Sequence, residues 1–175
     1  MADTSPRPGI AAINALDAKA FSRLFGPVYE HSPWIAERAF ARRPFATSRD
    51  LHLALYGVVL DATEQEKLAL LNAHPELAGK EAEAGSLTAE SREEQGSAGL
   101  DRLTPEELAT LRTGNARYRE RFGFPFIIAV RLHSRASIFA ALEGRFHNTG
   151  AQELQNAVAQ VGEIARLRLA ALMTD

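Results

Sequence analysis

The sequence predicts an all-α protein, a single-domain helical bundle of roughly eight helices. Helix-start signals recur along the chain, each a Ser, Thr or Asp that is often followed by Pro or by an acidic first turn. Only residues 126–130 look strand-like, and one short, solitary run cannot support a sheet. The 175 residues fit one domain, spanning residues 1–175, in which residues 1–9 are expected to form a flexible terminus.

The first two predicted helices have clear boundaries. Asp17 can cap a helix that ends at Phe25, because a Gly-Pro pair follows. Ser32 is predicted to cap the second helix, since the proline after it would then occupy the first helical position, where a missing N–H group costs nothing. This helix should run to about Arg43 and stop before the next proline.

The next two helices combine caps with apolar periodicity. Ser48 can cap the third helix, which carries four apolar residues on one face. These residues are Leu51, Leu55, Val58 and Val59. Residues 63–66 have the capping-box sequence Thr-Glu-Gln-Glu, so a fourth helix should begin there and run to Asn72.

The second half of the chain opens with a segment that we expect to be an ordered loop. Residues 75–87 are small, charged and glycine-bearing. Either Ser86 or Thr88 then caps a helix that reaches about Ala98. Three more helices are predicted, at residues 104–121, 134–145 and 149–172.

Composition argues against several classes of protein. The chain has no cysteine, which excludes disulfides, thiolate zinc sites and a cysteine nucleophile. A net charge of −2 does not indicate the positively charged surface that nucleic-acid binding requires. The longest apolar run, about residues 53–60, is far shorter than the ~20 residues that span a bilayer, and residues 1–8 do not resemble a signal peptide. We therefore expect a cytoplasmic protein without nucleic-acid or membrane partners.

His74 is the candidate acid/base residue. Of the five histidines, it alone lies in a polar, small-residue segment, at a predicted helix end. An imidazole titrates near pH ~6.5 and can therefore give or take a proton at neutral pH. The alternative is a histidine that caps the helix and interacts with its dipole.

Three polar residues form a second candidate cluster. Ser91, Glu94 and Gln95 are spaced i, i+3, i+4, which places them on one face of a helix. A hydroxyl, a carboxylate and a carboxamide on one face can bind a small, planar, amide-rich ligand. The alternative is an ordinary solvated face, although the small residues after Gln95 could allow another group to approach closely.

Two further features are ambiguous by sequence alone. Residues 124–128 are apolar and interrupted by proline, so their side chains predict core packing while nearby backbone groups could be left for a ligand. On the last helix, Arg166 can form a surface ion pair with Glu163, three residues earlier. Arg168 could instead capture a carboxylate or carbonyl, and periodicity does not decide between these roles.

No metal site is expected. The histidines have no His-Glu-x-x-His or other metal-ligand spacing, and the chain has no nucleophile elbow or phosphate loop. Residues 30–34 are interpreted as a helix start that contains a packed tryptophan.

Four sequence segments carry a resemblance to a known family. They are Ala73–Lys80, Ser91–Leu100, Phe122–Ala129 and Ile164–Leu169. In this order they resemble the 2-oxo-4-hydroxy-4-carboxy-5-ureidoimidazoline (OHCU) decarboxylases of urate catabolism, and the similarity runs from about Phe21 to about Leu169. The resemblance implies conversion of OHCU to (S)-allantoin and carbon dioxide without a cofactor, and a homodimer.

The resemblance also implies residue roles. His74 looks like the catalytic acid/base, and Glu94 looks like its carboxylate partner. The residues that look like substrate-binding residues are Pro75, Ser91, Gln95, Phe126, Ile127, Ile128, Ala129 and Arg168. The alternative function is a non-catalytic helical module that binds a ureide or a protein, and a cofactor-free hydrolase of a related ureide is a third reading.

Overall fold

The computed structural model of the protein describes residues 7–174, and all regular structure in that part of the chain is helical. This confirms the predicted all-α class. The helices are α1 (Ile10–Asn14), α2 (Ala18–Phe25), α3 (Trp34–Ala39), α4 (Ser48–Asp61), α5 (Glu64–Asn72), α6 (Lys80–Glu83), α7 (Ala89–Ser97), α8 (Pro105–Phe122), α9 (Arg135–Arg145) and α10 (Gly150–Leu172). No helix in this range is long and apolar enough to cross a membrane.

The chain divides into two compact units. Unit 1 comprises the residues up to Leu70 together with those from Gly162 onward, and unit 2 comprises Leu71–Val161. The flexible terminus predicted for residues 1–9 lies outside the described residues except for residues 7–9. Within those three, the Pro8 carbonyl accepts a hydrogen bond from the Thr174 N–H group, at 3.2 Å.

Unit 1 is built on the packing of α2, α3 and α4. The apolar face predicted for α4 is confirmed, because all four of its residues are buried. On α2, Phe21 and Phe25 are fully buried, and the Phe21 ring also contacts Phe40 and Phe45. The core of unit 1 therefore combines the aromatic rings around α2 with the aliphatic face of α4.

Several of the predicted helix caps are confirmed. The Asp17 carboxylate accepts from the Ala20 N–H group at 2.7 Å, and Thr88, rather than Ser86, caps α7. The capping box at Thr63 is closed in both directions, and α8 begins with a second capping box, in which Thr104 and Glu107 exchange hydrogen bonds. These devices are local, so they could be predicted from sequence.

Two caps were predicted one residue away from their true positions. Thr47, not Ser48, caps α4: its backbone is extended and its hydroxyl accepts from the Asp50 N–H group at 3.1 Å, while Ser48 is already helical. Pro33, not Ser32, is the N-cap residue of α3, and it makes no side-chain cap. Ser32 contributes only its carbonyl, to the Ile35 N–H group.

Two short helices were missed by the sequence analysis. Both α1 and α6 follow a glycine, Gly9 or Gly79, that offers no capping side chain, so neither has a start signal. The prediction of a loop throughout residues 75–87 was therefore wrong for the four residues of α6.

Unit 2 packs α8 against α9 and carries an aromatic cluster. The buried Tyr118 ring contacts Phe122, Phe124, Phe126 and Phe146, at centroid distances of 4.7–6.0 Å. Residues 124–129 form no strand; they are buried, irregular chain that leads into a 3-10 turn at Val130–Leu132. The aromatic rings thus seat this segment against α8.

The capping box of α5 yields a prediction for the pH dependence of stability. A hydrogen bond from Arg38, at 2.6 Å, and bonds from Thr63 lower the pKa of Glu66 to about 2. A carboxyl with a depressed pKa stabilises the fold above its unfolded pKa of ~4.3, and this stabilisation is lost as the pH falls through the folded value. Urea unfolding should therefore show a stability gap between wild type and Glu66→Gln at pH 6 that closes toward pH 2.

The control is Glu64→Gln, which removes an exposed carboxylate from the same first turn. We expect it to show a smaller gap at pH 6. A Glu66→Gln gap of equal size at both pH values would contradict the account.

Candidate active site

Helix α7 buries a polar face. Its three buried residues are Ser91, Glu94 and Gln95, which are 4%, 8% and 7% exposed. A helix in a globular protein normally buries an apolar stripe, and buried polar groups cost free energy unless they are hydrogen-bonded. The three residues therefore do not form a solvated face, and their polar chemistry needs an explanation other than core packing.

His74 lies directly after α5, in a segment of two consecutive turns, residues 71–79, which we call the His74 turn. The first is closed by the His74 backbone N–H group, which donates to the Leu71 carbonyl at 3.2 Å, and the second by the Gly79 N–H group, which donates to the Glu76 carbonyl at 3.2 Å. The His74 side chain is buried, at 7% exposed. Arg119 of α8 bonds to residues before and after His74. Its guanidinium donates to the Asn72 side-chain oxygen at 3.0 Å and to the Glu76 carboxylate at 2.7 Å. The position of the imidazole is thus supported from both sides of the His74-Pro75 pair.

The turn that carries His74 is bonded directly to α7. The Gln95 carboxamide oxygen accepts from the Ala78 N–H group at 2.9 Å. From α8, the Asn115 NH₂ group donates to the Leu77 carbonyl at 3.0 Å. The structure therefore brings two of the sequence-predicted elements, the His74 turn and the polar face of α7, into contact.

The third predicted element also adjoins α7. Residues 126–129 are all buried, and α7 packs against the 3-10 turn at Val130–Leu132 that follows them. Three of their backbone groups are already engaged. Arg145 donates to the Ile127 carbonyl at 2.7 Å, Gln160 accepts from the Ala129 N–H group at 2.9 Å, and the Ala129 carbonyl accepts from the Leu132 N–H group at 2.9 Å. These hydrogen bonds hold the segment in place within the protein.

Arg145 is the anchor of this segment. Its guanidinium forms an ion pair with the fully buried Glu153, at 2.7 Å, and lies over the Phe126 ring at 4.7 Å from the centroid. It also donates to the Tyr118 hydroxyl at 3.2 Å. Burial raises the pKa of Tyr118, so this hydroxyl stays protonated at neutral pH.

Arg168 belongs to unit 1 and has a buried carboxylate partner there. Its guanidinium contacts the Glu30 carboxylate at 3.0 Å and donates to the Val28 carbonyl at 3.3 Å. Arg168 is 5% exposed and Glu30 is 3% exposed. Arg166, by contrast, forms the expected exposed ion pair with Glu163, at 2.9 Å.

The sequence analysis missed four supporting residues, which are Glu30, Asn115, Arg119 and Arg145. Glu30 was interpreted only as part of a helix start, yet it is the ion-pair partner of a residue 138 positions away. The four-residue spacing of Asn115 and Arg119 shows that they share a face of α8, but no local signal ties that face to the His74 turn.

Among residues 7–174, no group of three or more His, Asp or Glu side chains could hold a metal ion. The polar groups on and around α7 are instead a hydroxyl, a carboxylate, carboxamides and an imidazole. This set suits proton transfer and hydrogen bonding to a small polar ligand.

Comparisons with known proteins place the chain in a family. The sequence model of the OHCU decarboxylase family matches residues 14–170. A 2-oxo-4-hydroxy-4-carboxy-5-ureidoimidazoline decarboxylase of Halalkalicoccus jeotgali is 44% identical over 157 residues, which is 90% of this chain and 87% of the relative. One of Haloferax volcanii is 43% identical over 158 residues, which is 90% of this chain and 92% of the relative. The chain belongs to the OHCU decarboxylase family.

The fold is also that of a solved structure, described as the crystal structure of (S)-allantoin synthase. The TM-score is 0.75 and the sequence identity 29%, and the alignment covers 95% of this chain. This chain spans 54% of the length of that one.

The buried ion pair in unit 1 gives a prediction of stability. Arg168→Met leaves the Glu30 carboxylate buried without its cation, which typically costs about 3–5 kcal/mol of unfolding free energy. The double variant Arg168→Met/Glu30→Leu should recover most of that loss, as measured by urea unfolding.

Arg166→Met is the matched control, because it removes an exposed arginine two residues away and should cost about 1 kcal/mol or less. The buried-pair account is wrong if Arg168→Met costs no more than this control.

Proposed function

We propose that this protein is a carboxy-lyase that converts OHCU to (S)-allantoin and carbon dioxide in urate catabolism, without a cofactor. Family membership supports the reaction. The observation that carries the proposal is the buried polar face of α7, hydrogen-bonded to the turn that holds His74. A bundle with no polar ligand to bind would normally bury apolar residues at these positions.

The substrate itself supplies the electron sink. When the bond to the carboxylate breaks, carbon dioxide leaves and the bonding electron pair enters the conjugated C=N and carbonyl system of the ring. One proton is then added to carbon on one face, so the net reaction consumes a proton and releases carbon dioxide. The protein needs to orient the carboxylate, stabilise the enolate-like intermediate and control the face of protonation.

We assign the roles as follows. His74 is the acid/base residue that delivers the proton, and Glu94 is its carboxylate partner. Ser91 and Gln95 bind the amide groups of the substrate. The backbone groups of residues 126–129 other than the Ile127 carbonyl and the Ala129 N–H and carbonyl groups are candidates for further hydrogen bonds to it.

Pro75 and Arg168 complete the proposed set. Pro75 directly follows His74 and shapes the turn, in which it is half-buried. Arg168 is proposed to bind substrate through a guanidinium that Glu30 and the Val28 carbonyl already orient. Such a fork geometry suits carboxylate and carbonyl oxygens.

We further propose that the whole chain works as one domain, that it forms a homodimer, and that it acts in the cytoplasm. The family resemblance supports the dimer. Size-exclusion chromatography with light scattering tests it directly.

The function is tested with freshly generated OHCU. Wild type should accelerate carbon dioxide release and give optically active (S)-allantoin by circular dichroism, whereas spontaneous decay gives both enantiomers. His74→Asn should fold normally and lose about 10²–10⁴-fold in turnover, the usual contribution of a general acid/base. His147→Asn, which alters an exposed histidine of unit 2, is the control and should keep wild-type turnover.

Two results would contradict the proposal. Folded wild-type protein that neither accelerates decay nor biases the allantoin enantiomer is not an OHCU decarboxylase. Wild-type turnover by folded His74→Asn would remove His74 from the mechanism and leave the reaction class standing.

A further inference from the structure

One peptide group in the His74 turn is held at both ends by side chains. The Leu77 carbonyl and the Ala78 N–H group belong to the same peptide unit. Asn115 of α8 donates to that carbonyl at 3.0 Å, and Gln95 of α7 accepts from that N–H group at 2.9 Å. Both side chains are buried, at 2% and 7% exposed. We call this arrangement the peptide lock.

The turn needs such support. Ala78 has a φ of +48°, a left-handed conformation that alanine disfavours because of its Cβ atom. The next residue is equally constrained: a Cβ on Gly79 would lie 2.7 Å from the Glu76 Cβ. A chain in this conformation relaxes unless the surrounding structure fixes it. The lock acts four residues after His74, within the same turn.

Asn115 contributes a hydrogen-bond donor, its side-chain NH₂ group, at this position. Its side-chain oxygen is buried and has no hydrogen-bond partner within the described protein. An unsatisfied buried acceptor is unfavourable, and an apolar residue of similar size would avoid it. The hydrogen bond to the Leu77 carbonyl is therefore what the amide contributes at this position.

The lock also fixes the orientation of the Gln95 amide. Because the Ala78 N–H group needs an acceptor, the carboxamide oxygen faces the backbone. The two N–H donors lie at the opposite end of the amide, and a ligand that meets this end must offer an oxygen.

We propose that Asn115 is a positioning residue for His74, acting through the peptide lock. The link to catalysis rests on the proposed function. The lock orients the turn that carries the imidazole without touching substrate at Asn115, so its loss should lower kcat more than it raises KM.

The main test compares Asn115→Leu with Tyr118→Phe. Asn115→Leu removes the donor and also the unpaired oxygen while keeping the number and branching of the side-chain heavy atoms. Tyr118→Phe removes a different buried hydrogen bond of α8, the one from Arg145, and is the matched control. Asn115→Leu should lower kcat for OHCU by about 10²-fold, as small misplacements of catalytic groups do, with KM changed by less than about threefold. Tyr118→Phe should leave kcat within about threefold of wild type.

Readouts independent of activity separate this proposal from the proposed function. In Asn115→Leu, hydrogen exchange of the Ala78 amide should be at least about tenfold faster, and the His74 ring signals should shift in NMR spectra. If wild type does not turn over OHCU, these two measurements still test whether the peptide lock holds the His74 turn. An unchanged kcat, or an Ala78 amide as protected as in wild type, would overturn it. If Asn115→Leu fails to fold, Asn115→Asp provides the same comparison, because an ionised carboxylate cannot donate to the Leu77 carbonyl.

The other end of the lock is tested by two variants of Gln95. Gln95→Glu keeps an acceptor for the Ala78 N–H group, so hydrogen exchange of this amide should stay slow. Gln95→Met removes the acceptor, so the exchange should be at least about tenfold faster. An Ala78 amide that stays protected in Gln95→Met would overturn the lock.

Discussion

The hydrogen bond between Gln95 and the Ala78 N–H group is the interaction on which the candidate active site depends. It joins a helix that buries a hydroxyl, a carboxylate and a carboxamide to the turn that presents an imidazole. Without it, the Ala78 N–H group would lose its acceptor where the backbone has a left-handed φ, and the buried Gln95 carboxamide oxygen would lose this donor. One bond thus serves both the fold and the chemistry.

Longer-range supports converge on the same region of unit 2. Arg119 brackets the His74 turn through Asn72 and Glu76, and Arg145 holds residues 126–129 with its guanidinium against Glu153. Arg145 satisfies a buried backbone carbonyl and a buried carboxylate, whereas Arg119 pairs with side chains at the more exposed edge of the His74 turn. Such a framework keeps small polar residues in fixed positions, as proton transfer to one face of a substrate requires.

Sequence reasoning succeeded where the determinants are local. The capping box at Thr63, the helix start at residue 104 and the apolar face of α4 follow from local sequence signals, and they were predicted correctly. The i, i+3, i+4 spacing likewise placed three polar residues on one face of α7. The short helices α1 and α6 were not predicted, because they follow glycines, which provide no capping side chain. The partners of Glu30 and Asn115 were not predicted, because contacts between residues 138 or 38 positions apart have no signal in the local sequence.

The central claim is that the buried polar face of α7 and the His74 turn form one ligand site. A crystal structure of the protein with (S)-allantoin bound tests this most directly. The account predicts that the ligand lies within hydrogen-bond distance of Ser91 or Glu94, of the His74 ring, and of the Gln95 nitrogen, with a ligand oxygen facing that nitrogen. Allantoin bound elsewhere in unit 2, or a Gln95 nitrogen that faces Ala78, would contradict it.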